Sequence, residues 1–343
     1  MESPTPTHGS SNSSPESKSA HIKRTLIALL IVVAGIGLFK FLDYYVTANH
    51  LAELPSGYIT KESERFQVFY APETEPQAER MLAAGEQFIE TFSSRYGPLF
   101  GGLEPPSNRI RLTLFRNHDE FREFARESLQ VDLANNGGYC DAANQEIVLV
   151  MSSIERDLGA MLDPSFRLQF PTNDEADVMA MRHELVHYLM ERGGGDFGSR
   201  AAPWLSEGLA GIFEMPDPAN GSPPPMALWT TVVLAVSADT PRLSQLVRAT
   251  AMSFRGKSNL YVYAFSALLV RFLWLDDATT LWSYVRKMRD GDEPGWSNFQ
   301  AHFAADDAME SRWRAMIQKL RLDARDIIRQ AHPKKWTTQS LNQ

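Results

Sequence analysis

Asn173-Asp-Glu-Ala-Asp-Val-Met-Ala-Met-Arg-His-Glu-Leu-Val-His-Tyr-Leu-Met-Glu-Arg192, followed by glycines at 193–195, is the stretch that leaves this 343-residue chain the least freedom. Val178, Met181, Leu185 and Leu189 recur at helical spacing and predict one buried stripe. Thr172 with Glu175 fits a capping box and the glycines close the far end, so the segment reads as a helix of about five turns. His183 and His187 stand one turn apart on another face, where two imidazoles can hold one metal ion between them. Glu184, next to the first histidine, can reach a water beside such an ion without competing for coordination. With eight histidines in the chain, His-Glu-x-x-His arises by chance in about one such sequence per hundred. The pattern therefore needs a partner, and the alternative is a pair of solvated or core-satisfied histidines.

The partner comes from Pro203-Trp-Leu-Ser-Glu-Gly-Leu-Ala-Gly-Ile-Phe-Glu214, a second predicted helix opened by Pro203 and ended before Pro216. Glu207 lies twenty positions after His187, and a turn through 193–202 lets an antiparallel helix bring its carboxylate back to the histidines. Gly208 and Gly211 either let these two helices approach closely or are ordinary small packing residues. Two imidazoles and one carboxylate leave a fourth zinc position open, as hydrolysis requires.

Upstream the chain changes character. Residues 1–24 are rich in Ser and Pro and predict a disordered cytoplasmic tail. Thr25–Phe39 carries no charge, and extension to Val46 makes a helix of about 33 Å, enough for a transmembrane signal anchor over 25–46. Lys18, Lys23 and Arg24 precede it, which predicts a single-pass membrane protein with a cytoplasmic N-terminus and a periplasmic or extracellular remainder. A cleaved signal peptide ending at Val46-Thr-Ala48 and a buried core helix are the alternatives. Residues 47–62 read as a linker, 63–325 as the main domain and 326–343 as a C-terminal tail.

Within the domain, Arg65–Tyr70 and Arg109–Phe115 alternate like strands, and Glu75–Tyr96 is helical up to Gly97-Pro98. His118–Leu129 predicts a short helix, and Gly137–Cys140 with Glu146–Met151 predicts a hairpin. Beyond Pro171 the pattern is helical to Ile328, broken by a Pro/Gly-rich stretch at 216–225. The layout is α+β: an N-terminal mixed β/α lobe with an edge strand above a mainly helical C-terminal lobe, preceded by one transmembrane helix.

His-Glu-Leu-Val-His at 183–187, a glutamate at this spacing and Trp-Leu-Ser-Glu-Gly-Leu-Ala at 204–210 resemble the gluzincin branch of zinc metallopeptidases, and most of all peptidase MA-like domains. The resemblance extends over roughly 63–322, with Gly137-Gly-Tyr139 and Glu310-Ser-Arg-Trp-Arg314 as weaker points of likeness. It implies a zincin-like fold, Zn2+ held by His183, His187 and Glu207, Glu184 as general base, and a peptide or protein as substrate. It also implies a tyrosine that stabilises the oxyanion on a helix some fifty to sixty-five residues past the glutamate. Tyr263 fits that spacing best and Tyr261 is the alternative. Backbone groups around Gly138, Tyr139, Ile147 and Val148 would line the upper rim of the substrate cleft. The chain departs from the thermolysin-like pattern at Gly211, where that pattern has a carboxylate orienting a zinc histidine; Asp174, Asp177 or Glu214 would have to replace it. It also lacks a Gly-x-Met-Glu-Asn motif, so a free-amine-reading aminopeptidase is not implied.

Other chemistries are disfavoured. A net charge of −8, with no Lys/Arg stripe among aromatics, argues against nucleic acid as partner. A single cysteine, Cys140, rules out an intrachain disulfide and all-cysteine metal sites, and reads as packing or rim rather than a nucleophile. His8, His21, His50, His118, His302 and His332 have no partner spacing and are expected on surfaces. A non-catalytic extracytoplasmic scaffold on the same fold and a zinc hydrolase of a non-peptide amide remain as rival readings.

Overall fold

The computed structural model describes residues 54, 56–102, 108–126, 138–142, 144–151, 173–194, 202–218, 220–250 and 259–331. Among the described residues there are five strands, β1 (Ile59–Glu62), β2 (Phe66–Tyr70), β3 (Ile110–Phe115), β4 (Gly138–Asp141) and β5 (Glu146–Val150). They form one sheet in the order β1-β2-β3-β5-β4. β2, β3 and β5 run parallel, and antiparallel β1 and β4 close the two ends.

Alternation along these strands gives the sheet two faces. Phe66, Val68, Ile110, Leu112, Ile147 and Leu149 point into the main core. The register pairs Phe66 with Ile110 and Leu112 with Ile147, which keeps the apolar set on one side. Helix α1 (Glu75–Tyr96) lies against that side and buries Ala78, Met81, Leu82, Gly85, Ile89 and Phe92, one helical stripe. The opposite face carries Phe115, packed on Phe121 and Phe124 of α2 (His118–Phe124). Asn117 caps α2 by accepting from the amides of Asp119 and Glu120, both at 3.0 Å.

The remaining helices are α3 (Asn173–Gly194), α4 (Pro203–Ile212), α5 (Leu228–Val236), α6 (Leu243–Val247), α7 (Asn259–Arg289), α8 (Trp296–Phe303) and α9 (Asp307–Ala331). α3 sends Met181, Leu185 and Leu189 into the core it shares with α1 and the sheet. α4 lies between α3 and α7. α7 is bent at Asp277, whose carboxylate accepts from the Thr280 amide and hydroxyl and so restarts the helix.

The expected fold class is corrected in one respect, the transmembrane helix placed before the domain. No helix among the described residues is long and apolar enough to cross a membrane, so the described structure is an α+β domain without a transmembrane helix. Residues 1–24, the span assigned to 25–46 and the capping residue Thr172 lie outside the described residues. The main domain begins earlier than 63, because β1, within the segment expected as linker, pairs residue for residue with β2. Its last helix runs past 325 to Ala331. Of the two strands expected to carry rim groups, β5 is hydrogen-bonded on both sides, and β4 ends the sheet among the described residues.

Candidate metal centre

Each ligand-bearing side chain is aimed by the helix under it. The buried stripe of α3 fixes its rotation and leaves His183 and His187 on the flank facing α4, with rings in an edge-on pair 5.0 Å apart. α4 owes its position to glycine. A Cβ at Gly208 would lie 2.6 Å from both the Ser266 carbonyl oxygen and Val270 Cγ2 of α7. One at Gly211 would meet Ala267 at 3.1 Å. These glycines therefore serve the α4–α7 crossing, a correction to the expectation that they bring α4 against α3. With α4 pressed onto α7, Glu207 turns back toward the histidines.

The result is a triangle of metal-ligating atoms. His183 Nε2 and His187 Nε2 are 3.2 Å apart, and Glu207 Oε2 lies 3.2 and 3.3 Å from them. The other ring nitrogens are engaged. Glu214 Oε1 accepts from His183 Nδ1 at 2.9 Å, and Ser206 Oγ lies 3.2 Å from His187 Nδ1. With Nδ1 of His183 donating to a carboxylate, its Nε2 presents a lone pair to the triangle when the ring is neutral. A tetrahedral ion with bonds of about 2.0–2.1 Å holds its ligand atoms about 3.3 Å apart, so the spacing and the nitrogen-and-oxygen donor set fit zinc. Among the described residues, this is the one group of three metal-ligating side chains that converges.

The electrostatics agree with that donor set. Burial opposes charge on His183, but hydrogen bonds to Glu207 and Glu214 outweigh it and push the pKa well above the ordinary value. Burial likewise opposes charge on Glu207, yet the two histidines pull its pKa down to about 2. Both directions report a site that favours positive charge at its centre.

Glu184 lies on the next flank of α3, under β4. The Cβ that Gly138 lacks would be 3.5 Å from Glu184 Oε1. Burial raises the Glu184 pKa, partly opposed by His183 and His187 and reinforced by Glu207 and Glu214. Tyr263 stands with its ring edge-on to His183 at 6.0 Å, and its pKa is raised by burial and by the charges of Glu207 and Glu184. Tyr261, two residues earlier, points elsewhere: its phenol engages Ser237 and the backbone of Ala238, and its ring stacks on Phe265.

The four expected rim residues divide. Gly138 faces Glu184. Tyr139 lies on the other sheet face, where its hydroxyl donates to Glu146 at 3.3 Å. Ile147 and Val148 are fully buried on interior β5, with backbones committed to both neighbours, so both are withdrawn as substrate contacts. Cys140 shares the face of Gly138, and burial with the charges of Glu184 and Glu191 pushes its thiol far up, away from nucleophile chemistry. His118 and His302 are half-buried rather than on the surface, and the carbonyl of Thr280 lies 3.1 Å from His302 Nε2.

Of the three carboxylates that could replace the missing one at Gly211, Glu214 contacts His183, Asp177 is buried elsewhere on α3, and the Asp174 side chain lies outside the described residues. Ser206 was not singled out by the sequence; its place immediately before Glu207 was the available signal. Compared with known proteins, the sequence matches no family model and no curated protein.

Proposed function

We propose that this chain is a zinc-dependent peptidase of the gluzincin type, with His183, His187 and Glu207 as the zinc ligands. The observation that carries the reading is the triangle of 3.2–3.3 Å between His183 Nε2, His187 Nε2 and Glu207 Oε2, three atoms that can each ligate one ion. When bound, zinc supplies Lewis acidity, which polarises a carbonyl and makes water acidic near neutral pH.

The chain's own residues supply the rest. Glu184 takes a proton from the water that attacks the scissile carbonyl carbon, then passes it to the amine nitrogen as the C–N bond breaks. Tyr263 donates its phenol proton in a hydrogen bond to the carbonyl oxygen as that oxygen becomes an oxyanion. Glu214 and Ser206 hold the two imidazoles by their Nδ1 atoms. Among the described residues β4 is the terminal strand beside Glu184, an edge to which an extended peptide can add, and this favours a peptide over another amide.

Cleavage of an unstructured protein such as casein, measured with and without a chelator, tests the proposal. Chelator-sensitive cleavage that zinc restores is expected, and Glu184→Gln retains zinc while losing about 10²–10⁴ in turnover. Zinc uptake without cleavage at high enzyme concentration would assign the fold to a scaffold instead. An unchanged rate in Glu184→Gln would remove that carboxylate from the mechanism.

A further inference from the structure

Glu214 is engaged at both ends of its carboxylate. Oε1 accepts from His183 Nδ1, and Oε2 accepts from the indole N–H of Trp229, at the start of α5. The group is 3% exposed, so solvent does not stand in for either donor.

Its backbone is tethered independently of Trp229. Arg182 Nη1 donates to the Glu214 carbonyl at 3.1 Å. The preceding ring, Phe213, packs on Phe92 and Tyr96 at 5.0 and 4.8 Å. Three residues on, Asp217 accepts from the Tyr96 hydroxyl at 2.8 Å and from Arg95. The chain path through 213–217 is therefore fixed without α5, and the indole contributes the orientation of the carboxylate. A buried carboxylate stripped of one of two donors is left under-paired, and it recovers by turning. Turning draws Oε1 off His183 and frees the imidazole to rotate.

We propose that Trp229 is a positioning residue of the metal centre: its indole N–H locks the Glu214 carboxylate, and through it the His183 ring, in the orientation that binds zinc. The inference rests on the zinc reading above and extends it one contact outward, from the ligand's partner to the residue that holds that partner.

The test uses the full chain and zinc alone, in competition with a chromophoric chelator. Trp229→Phe is expected to bind zinc about tenfold more weakly, as losses around a metal ligand do. Glu214→Ala is expected to lose as much or more, and adding Trp229→Phe to it should change nothing further, because the indole acts through the carboxylate. Trp313→Phe is the control: that ring is fully buried, donates to the Pro241 carbonyl at 2.9 Å, and should leave zinc affinity at the wild-type value. In the wild type, where folding is not at issue, the Trp229 indole 15N–1H resonance should move on zinc addition while that of Trp313 stays. Wild-type affinity in Trp229→Phe, a second full loss in the Glu214→Ala background, or an indole resonance indifferent to zinc would each overturn the proposal. A wild-type chain that takes up no zinc fails differently: it removes the zinc reading itself, and this inference with it.

Discussion

The two flanks of α3 are built on opposite rules. Toward the sheet, Met181 and Leu185 join the same core as Phe66, Leu112 and Ile147, apolar side chains whose burial alone favours folding. Toward α4, the same helix presents His183 and His187 to Glu207, three polar groups whose burial is costly unless they are paired or hold positive charge between them. The first flank would tolerate other apolar residues of similar volume. The second is selected by chemistry and depends on neighbouring helices being held at fixed separations.

The largest effect that sharpens this contrast falls on the two tyrosines of α7. Tyr263→Phe should lower kcat about 10²–10³-fold with zinc retained, the weight of one oxyanion donor. Tyr261→Phe should leave kcat at the wild-type value, because its phenol is engaged with Ser237 and Ala238. Equal losses in the two variants would break the assignment.

Next come two glycines, one on each side of α3. Gly208→Ala sets a methyl 2.6 Å from a backbone oxygen of α7, so α4 must shift; a cost of about 1–3 kcal/mol in chemical unfolding and a weaker zinc affinity are expected together. Gly85→Ala meets the Phe66 ring at 2.9 Å, a side chain with some freedom to move. It should cost less than Gly208→Ala and leave zinc affinity unchanged. A zinc loss in Gly85→Ala as large as in Gly208→Ala would show the two flanks to be one mechanical unit.

The smallest effect is electrostatic and confined to the sheet side. Burial opposes charge on Glu86, but the Ser63 hydroxyl and the Arg65 amide and guanidinium, at 2.6–2.7 Å, outweigh it and lower its pKa. A depressed carboxylate adds stability above its unfolded pKa and loses it as pH falls through the folded value. The stability difference between wild type and Glu86→Gln, about 1 kcal/mol or less at neutral pH, should therefore shrink between roughly pH 5 and pH 3. A difference independent of pH would mean that the ionised carboxylate is not what matters there.

How much the sequence disclosed follows the same division. Period-2 and period-3.6 patterns located β2, β3 and α1, each of which turns one face to the main core, whereas α4, buried on nearly every side, was bounded by Pro203 and Pro216. The spacing of His183, His187 and Glu207 sufficed to name residues that the fold brings together, because a helix turn and an antiparallel return leave few other arrangements. Strand order was not legible: β5 precedes α3 closely in sequence, yet β4 is the strand at the edge. Nor was the partner of Gly208, because a small residue shows that something comes close without saying which helix. The choice of Glu214 over Asp174 and Asp177 depends on a bend after α4 held by aromatic packing of Phe213, which leaves no periodic trace.

The measurement closest to the centre of this account is the metal content of the purified chain. Elemental analysis should find about one zinc per wild-type molecule and a large loss in His183→Ala and Glu207→Ala, each of which removes a corner of the triangle. A wild type free of zinc after exposure to the ion, or a Glu207→Ala variant that retains the full stoichiometric amount, would contradict it.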